Sequence, residues 1–212
     1  MSIGGRTNTR LHSNHPCLTT RNGDTTVTND PAQQKGRIIR WAQGLLGSNA
    51  LILDFETTGL HGSDIVQIGA VDMKGNTVYE TLVKPAMPIS VGAMGVHGIT
   101  HEMVADAPTF ETLYIELSLL LAGRTVVAYN APFDKGILLG VCHRRNLPVP
   151  RIKGWECAMR AYATYYFGGR GGGKWQSLSK ACMQQGIRIE NAHSAIADCK
   201  MTWQLMKKMA GA

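Results

Sequence analysis

Asp54 and Glu56 stand two residues apart in the run Leu51-Ile52-Leu53-Asp54-Phe55-Glu56-Thr57-Thr58-Gly59. The apolar residues of this run predict a strand, and Gly59 predicts a sharp turn after it. Alternate residues of a strand share a face, so both carboxylates leave one side while Leu53 and Phe55 point to the other. At an effective dielectric near 20, two unit charges about 5 Å apart repel by roughly 3 kcal/mol, which calls for a proton or a cation between them. Hard oxygen ligands suit Mg²⁺, which is commonly shared between a few carboxylates and a substrate phosphate. Taken alone, the pair is equally well read as two solvated acids at a strand end.

Other groups with chemical potential lie far along the chain. Asp134 follows Asn130-Ala131-Pro132-Phe133, where proline marks a first helical turn and the positive end of a helix dipole favours a carboxylate. A helix-start acid explains it in isolation. A strand-to-helix junction at the carboxyl edge of a sheet, where α/β proteins bind ligands, is the functional alternative. His193 and Asp198 are five residues apart; on one regular helix they would face about 140° apart. They converge only if His193 precedes the helix, with Ser194 as its cap. His97 lies in Ala93-Met94-Gly95-Val96-His97-Gly98-Ile99-Thr100, which reads as a compact glycine-containing loop.

The elements that must position these groups follow from periodicity and punctuation. Asp30-Pro31 reads as a helix cap and first helical residue, with Ile38, Ile39, Trp41, Ala42, Leu45 and Leu46 on the inner face, Arg37 and Arg40 outside and Gly47 at the end. Strands are expected over 65–72 and 78–83, joined by a turn at Lys74-Gly75-Asn76; with the first strand they form an antiparallel meander. Pro85 and Pro88 end it. A helix is expected from Thr109 to Leu121, a fourth strand from Arg124 to Tyr129 and a helix from Pro132 onward.

Between His143 and Trp175 the cations Arg144, Arg145, Arg151, Lys153, Arg160, Arg170 and Lys174 face one acid, Glu156, with Trp155, Tyr162, Tyr165, Tyr166, Phe167 and Trp175 interleaved. Cations for phosphates and rings for bases suit a single-stranded nucleic-acid groove, although several rings must be core. Arg170 and Lys174 are the expected phosphate contacts. Gly168 to Lys174 has the glycine and lysine spacing of a phosphate-binding loop, but Trp175 stands where a magnesium-binding Ser or Thr belongs, which excludes a nucleoside triphosphatase.

The chain has 212 residues and 44% hydrophobic content, enough for one substantial core. Residues 1–29 are polar and basic and are expected to be a disordered tail, 30–47 a helix packed on the domain, and 48–212 the domain itself. The formal charge of +7 suits a polyanionic partner. Five cysteines without short paired spacings argue against a zinc site or a disulfide framework. With no apolar leader or membrane-length segment in view, a soluble cytoplasmic protein that does not engage membranes is expected.

Asp54-Phe55-Glu56-Thr57-Thr58-Gly59, Tyr129-Asn130-Ala131-Pro132-Phe133-Asp134, His193 followed by Asp198, and Val96-His97-Gly98-Ile99-Thr100 together resemble the motifs of the DEDDh, or DnaQ-like, 3′-to-5′ exonucleases, of which the bacterial proofreading epsilon subunit is one. The resemblance extends from about residue 36 to the end. Tyr129 departs from it, standing where many relatives have histidine. It implies a ribonuclease H-like α/β fold, with a mixed five-stranded sheet of an antiparallel three-strand meander plus parallel strands, flanked by helices. It further implies that Asp54, Glu56, Asp134 and Asp198 hold two Mg²⁺ or Mn²⁺ ions and that His193 is the general base. Thr57, Thr58, Leu60, Val96, His97 and Asn130 would contact the terminal nucleotide. The implied activity releases nucleoside 5′-monophosphates from a nucleic acid with a free 3′ end, single-stranded DNA being favoured. An exoribonuclease of the same fold is the rival within the class. A non-catalytic nucleic-acid-binding or polymerase-associated module is the rival outside it, and nothing in the chain indicates a polymerase partner.

Overall fold

The computed structural model describes residues 30–60, 62–168, 175–189 and 192–211. The expectations for residues 1–29, Arg170 and Lys174 lie outside the described residues. Five strands, β1 (Leu51–Thr57), β2 (Ile65–Asp72), β3 (Thr77–Leu82), β4 (Thr125–Ala128) and β5 (Gly154–Cys157), form one sheet in the order β3-β2-β1-β4-β5. The pairs β1–β2 and β2–β3 are antiparallel, whereas β1–β4 and β4–β5 are parallel. This is the mixed sheet of a ribonuclease H-like fold, and β1 lies at its centre. The carboxyl ends of β1, β4 and β5 therefore share one edge.

Helices cover both faces. On one side α3 (Phe110–Leu121) and α4 (Ala131–Arg144) bury Phe110, Leu117, Ile137, Leu138 and Val141 against Leu51, Leu53 and Phe55. On the other, α5 (Ala158–Phe167), α6 (Leu178–Gln184) and α7 (Ala195–Ala210) enclose a core with Ile52, Val127, Tyr129, Tyr162, Cys182, Leu205 and Met206. β1 is thus apolar on both faces except at Asp54, Glu56 and the terminal Thr57. The amino-terminal α1 (Pro31–Leu46) packs on α5 and α7 and buries Ala42, with Ile38, Trp41, Leu45 and Leu46 partly covered. Asp30 caps it by accepting from Ala32 N at 3.0 Å. Trp41 Nε1 donates to Glu156 Oε2 at 3.0 Å, tying this helix to β5.

One expectation needs correction. Residues 93–97 are helical rather than loop: α2 (Val91–His97) starts at Ser90, whose hydroxyl accepts from Ala93 N at 3.1 Å, and stops at Gly98 in the left-handed conformation, φ 72°. Its two caps outweigh the low helix propensity of Gly92 and Gly95. Part of the basic and aromatic segment is structural, as expected for several of its rings. Tyr162 is fully buried, Tyr165 and Trp155 pack against the two cores, and Arg144 and Arg145 are paired with Asp64. The same segment also contributes β5, a strand not located by periodicity. Among the described residues, no helix is long and apolar enough to cross a membrane.

Candidate active site

β1 runs opposite β2 with Asp54 level with Gly69 and Glu56 level with Gln67, and a bulge follows Glu56. A bulge re-aims the backbone, and here it turns the chain into the Thr57–Ser63 loop. The Thr57 hydroxyl donates to Gly59 O at 2.6 Å, and Thr58 Oγ1 accepts from Asp64 N at 2.9 Å. Both threonine side chains are engaged in shaping the turn. Asp64, nearly fully buried, anchors it: Arg145 donates to its two oxygens at 2.8 and 2.7 Å, and Ala86 N donates at 2.7 Å. Arg144 adds a bond to Asp64 Oδ1 at 3.2 Å and one to Ser63 O. Burial favours the neutral acid, but these donors hold its pKa below the usual carboxylate value, so Asp64 is a charged hub.

Asp198 arrives on α7. The first turn of that helix crosses β2 at Gly69, where an added Cβ would lie 2.6 Å from the backbone of Ala195 and Ile196. Glycine is required for so close an approach. Ala195 N donates to Gln67 Oε1 at 3.0 Å, fixing the helix end over the strand. Ser194 is the cap residue, and His193 immediately before it adopts φ 68°. That left-handed turn brings His193 N within 3.2 Å of Asp198 Oδ1. The histidine therefore lies outside the helix, which is the condition the five-residue spacing imposed. Its side chain is exposed.

Asp134 comes from the first turn of α4, three residues after Ala131, and is only 3% exposed. Its Oδ1 accepts from Phe55 N at 3.3 Å, which places it at β1 between the two acids of that strand. One ligand oxygen from each of Asp54, Glu56 and Asp198 lies within 4.8 Å of the others. Asp134 falls outside that tight trio but interacts with it electrically. Burial, followed by the charges of Asp134, Asp198 and Glu56, holds Asp54 well above the ordinary carboxylate range. Burial pushes Asp134 up to about 8, and burial with Asp198 pushes Glu56 up to about 7. Asp198 is also raised by burial, an effect opposed by its bond from His193. Among the described residues, no arginine or lysine is a cause of the shift in any of the four cases. Carboxylates collected at such electrostatic cost are a donor set suited to hard divalent cations.

The flank beyond Glu56 is formed by α2. Ser90 N donates to Thr58 O at 2.9 Å, His97 Nδ1 accepts from Ile99 N at 3.0 Å, and His97 Nε2 lies 3.1 Å from Thr57 O. The carbonyl can only accept, so His97 is neutral with its proton on Nε2. Burial, with a further push from His193, lowers its pKa and reinforces that state. Leu60 and Val96 remain 75% and 57% exposed on this flank. On the opposite flank Asn130 is exposed and its side chain makes no capping bond. Sequence reasoning missed the Asp64 hub and the Gly69 crossing. The adjacent arginines were a signal for the first, although their partner is 80 residues or more away.

A ribonuclease H-like sheet with acids collected at the carboxyl edge of its central strand defines a metal-dependent phosphodiester hydrolase. The family model described as "Exonuclease" (RNase_T) matches residues 51–206. The chain belongs to the DEDDh, or DnaQ-like, 3′-to-5′ exonuclease family. It is 33% identical over 203 residues to the uncharacterized exonuclease CP81 of Escherichia phage 186, covering 87% of this chain and 96% of that protein. It is 37% identical over 181 residues to the DNA polymerase III subunit epsilon of Pasteurella multocida, covering 76% and 68% respectively. Among solved structures, exonuclease X in complex with 5′ overhanging duplex DNA is 30% identical with a TM-score of 0.58, covering 76% of this chain and 91% of that one. The nuclease domain of 3′hExo, a DEDDh family member bound to rAMP, shares the fold at 18% identity and a TM-score of 0.62, with coverage of 76% and 91%.

Proposed function

We propose that the chain is a two-metal-ion exonuclease that removes nucleoside 5′-monophosphates one at a time from the 3′ end of single-stranded DNA. The observation that carries this reading is the gathering of Asp54, Glu56 and Asp198 oxygens within 4.8 Å, with Asp134 bonded to the same strand. Asp54, Glu56, Asp134 and Asp198 are the residues that would hold two Mg²⁺ or Mn²⁺ ions. Bound there, the ions supply positive charge for the attacking and leaving oxygens of an in-line displacement at phosphorus. His193, exposed at the rim and tethered through its backbone to Asp198, takes the proton of the attacking water as general base.

Leu60 and Val96 offer apolar surface to the terminal base and sugar, and neutral His97 holds α2 to the end of β1, the strand that carries Asp54 and Glu56. Thr57 and Thr58 act through the shape of the turn, while Asn130 is available to the departing strand. DNA is favoured because relatives at 30% identity or more include a DNA polymerase subunit and a structure holding DNA. We take residues 48–212 as the catalytic domain and 30–47 as a helix docked on it, which the position of α1 against α5 and α7 supports. Cys142, Cys157, Cys182 and Cys199 are free thiols, in keeping with a reducing cytoplasm.

The test is digestion of DNA and RNA single strands labelled at the 3′ or 5′ end, with Mg²⁺ or with EDTA. The reading requires immediate release of labelled mononucleotide from 3′-labelled DNA, a shrinking ladder from 5′-labelled DNA, and neither in EDTA. Faster digestion of RNA would transfer the assignment to an exoribonuclease, and binding without cleavage would leave only a nucleic-acid-binding module.

A further inference from the structure

Trp175 is a large aromatic side chain left 52% exposed, and the guanidinium of Arg160 lies 5.9 Å from the centre of its ring. Two tethers hold this pair at the catalytic edge of the sheet. The Tyr129 hydroxyl donates to the carbonyl of Gln176, next to Trp175, at 2.7 Å. Met159 N, one residue before Arg160, donates to the Tyr129 carbonyl at 2.9 Å. Tyr129 directly follows β4, which pairs with β1 with Ile52 level with Val127, and it packs in the same core as those two residues. The ring and the cation are therefore tied, through Tyr129, to the end of β4, the strand beside β1, on the β4–β5 side of the carboxyl edge. Leu60, Val96 and His97 stand on its β2 side, through the contacts of α2 with Thr57 and Thr58.

We infer that Trp175 and Arg160 form a subsite for the part of the nucleic-acid strand lying 5′ of the bond to be cut, the ring stacking on a base and the guanidinium meeting a phosphate. The inference rests on the exonuclease reading above. With the terminal nucleotide on the α2 flank and the scissile phosphate at the acids, the rest of the strand leaves past Asn130 toward β5, where this pair waits. A stack is tolerant of base identity because every base has a flat face, so the subsite adds affinity without sequence preference. Arginine beside an indole suits this task, since the guanidinium can meet a phosphate while remaining near the ring. Tyr129, by holding Gln176, acts as a positioning residue for the subsite.

The test is equilibrium binding of the single strand dT10 to the full chain by fluorescence anisotropy in EDTA, which prevents turnover. Trp175→Ala is expected to weaken binding about 5- to 150-fold, and Trp175→Phe, which keeps a flat ring, to restore it to within about 3-fold of the parent. Arg160→Gln is expected to reduce the slope of log affinity against log salt by about 0.7, the value for one lost phosphate contact on a single strand. Equal affinity of Trp175→Ala and the parent, equal losses in the alanine and phenylalanine variants, an unaltered salt slope, or no binding of dT10 by the parent overturns the subsite. Release of dTMP from dT10 by the parent protein in Mg²⁺ is scored separately. Its absence would overturn the exonuclease reading, whatever the binding data show.

Discussion

Gly69→Ala is the substitution whose consequence follows most directly from the packing. The new methyl group would sit 2.6 Å from Ala195 C and Ile196 N and 2.9 Å from Ala195 O, all of them backbone atoms with no side-chain torsion to relieve the clash. Nonbonded carbon contacts settle near 3.5–4.0 Å, so the start of α7 must withdraw from β2 by roughly 1 Å. Asp198 lies in that first turn, and Asp54 is level with Gly69 across the strand pair, so the displacement falls on the distance between the two carboxylates. Overpacking of this kind costs about 1–3 kcal/mol of stability, and a misplacement of about 1 Å in a reacting assembly costs on the order of 10²-fold in rate. We expect Gly69→Ala to fold with a lowered Tm and to release mononucleotide about 10²-fold more slowly. Gly44→Ala, at an exposed position of α1 with nothing within 4 Å of the new atom, serves as the comparison. It should raise stability by about 0.5–1 kcal/mol and leave activity alone. Thermal unfolding and single-turnover digestion of a 5′-labelled strand measure both quantities. A Gly69→Ala protein with parental Tm and rate would show that the close crossing of α7 does not position Asp198.

Three further outcomes follow from the same geometry. Asp54→Asn should abolish metal-dependent digestion, because it takes one carboxylate from the set that would hold the ions; undiminished cleavage would count against the site. His193→Ala should slow cleavage by about 10² to 10⁴ with Tm preserved, since the side chain is exposed, and near-normal turnover would refute its role as base. In the ion-free protein Glu56 keeps its proton up to about pH 7, against an ordinary value of 4.5, so the unfolded chain deprotonates first and stability falls as pH rises between those values. The loss from Glu56 alone is on the order of 3 kcal/mol, and Mg²⁺ should raise Tm more at pH 8 than at pH 5. A Tm gain that is the same at both pH values would contradict this.

Elements whose signals are local were legible in the sequence. The cap at Asp30, the turn around Gly75, the alternation of β2 and the proline of α4 each announce themselves within a few residues, and together they place Asp54, Glu56 and Asp134. Features defined by distant partners were not legible. β5 has four residues without alternation and exists because it pairs with β4. Arg144 and Arg145 looked like phosphate ligands because Asp64, which engages both, is 80 residues or more away. Gly69 in mid-strand carried a signal, since glycine there often marks a close backbone approach, but its partner α7 begins more than a hundred residues later.

The central claim is that four acids from three separate parts of the chain form one centre for a pair of ions, and counting those ions tests it most directly. Titration of Mn²⁺ into the protein with dTMP present, followed by the electron paramagnetic resonance of free Mn²⁺, should show two ions bound per chain. Asp54→Asn, Glu56→Gln, Asp134→Asn and Asp198→Asn should each reduce that number or weaken binding at least 10-fold. Retention of two tightly bound ions in the Asp134 or Asp198 variant would contradict the claim.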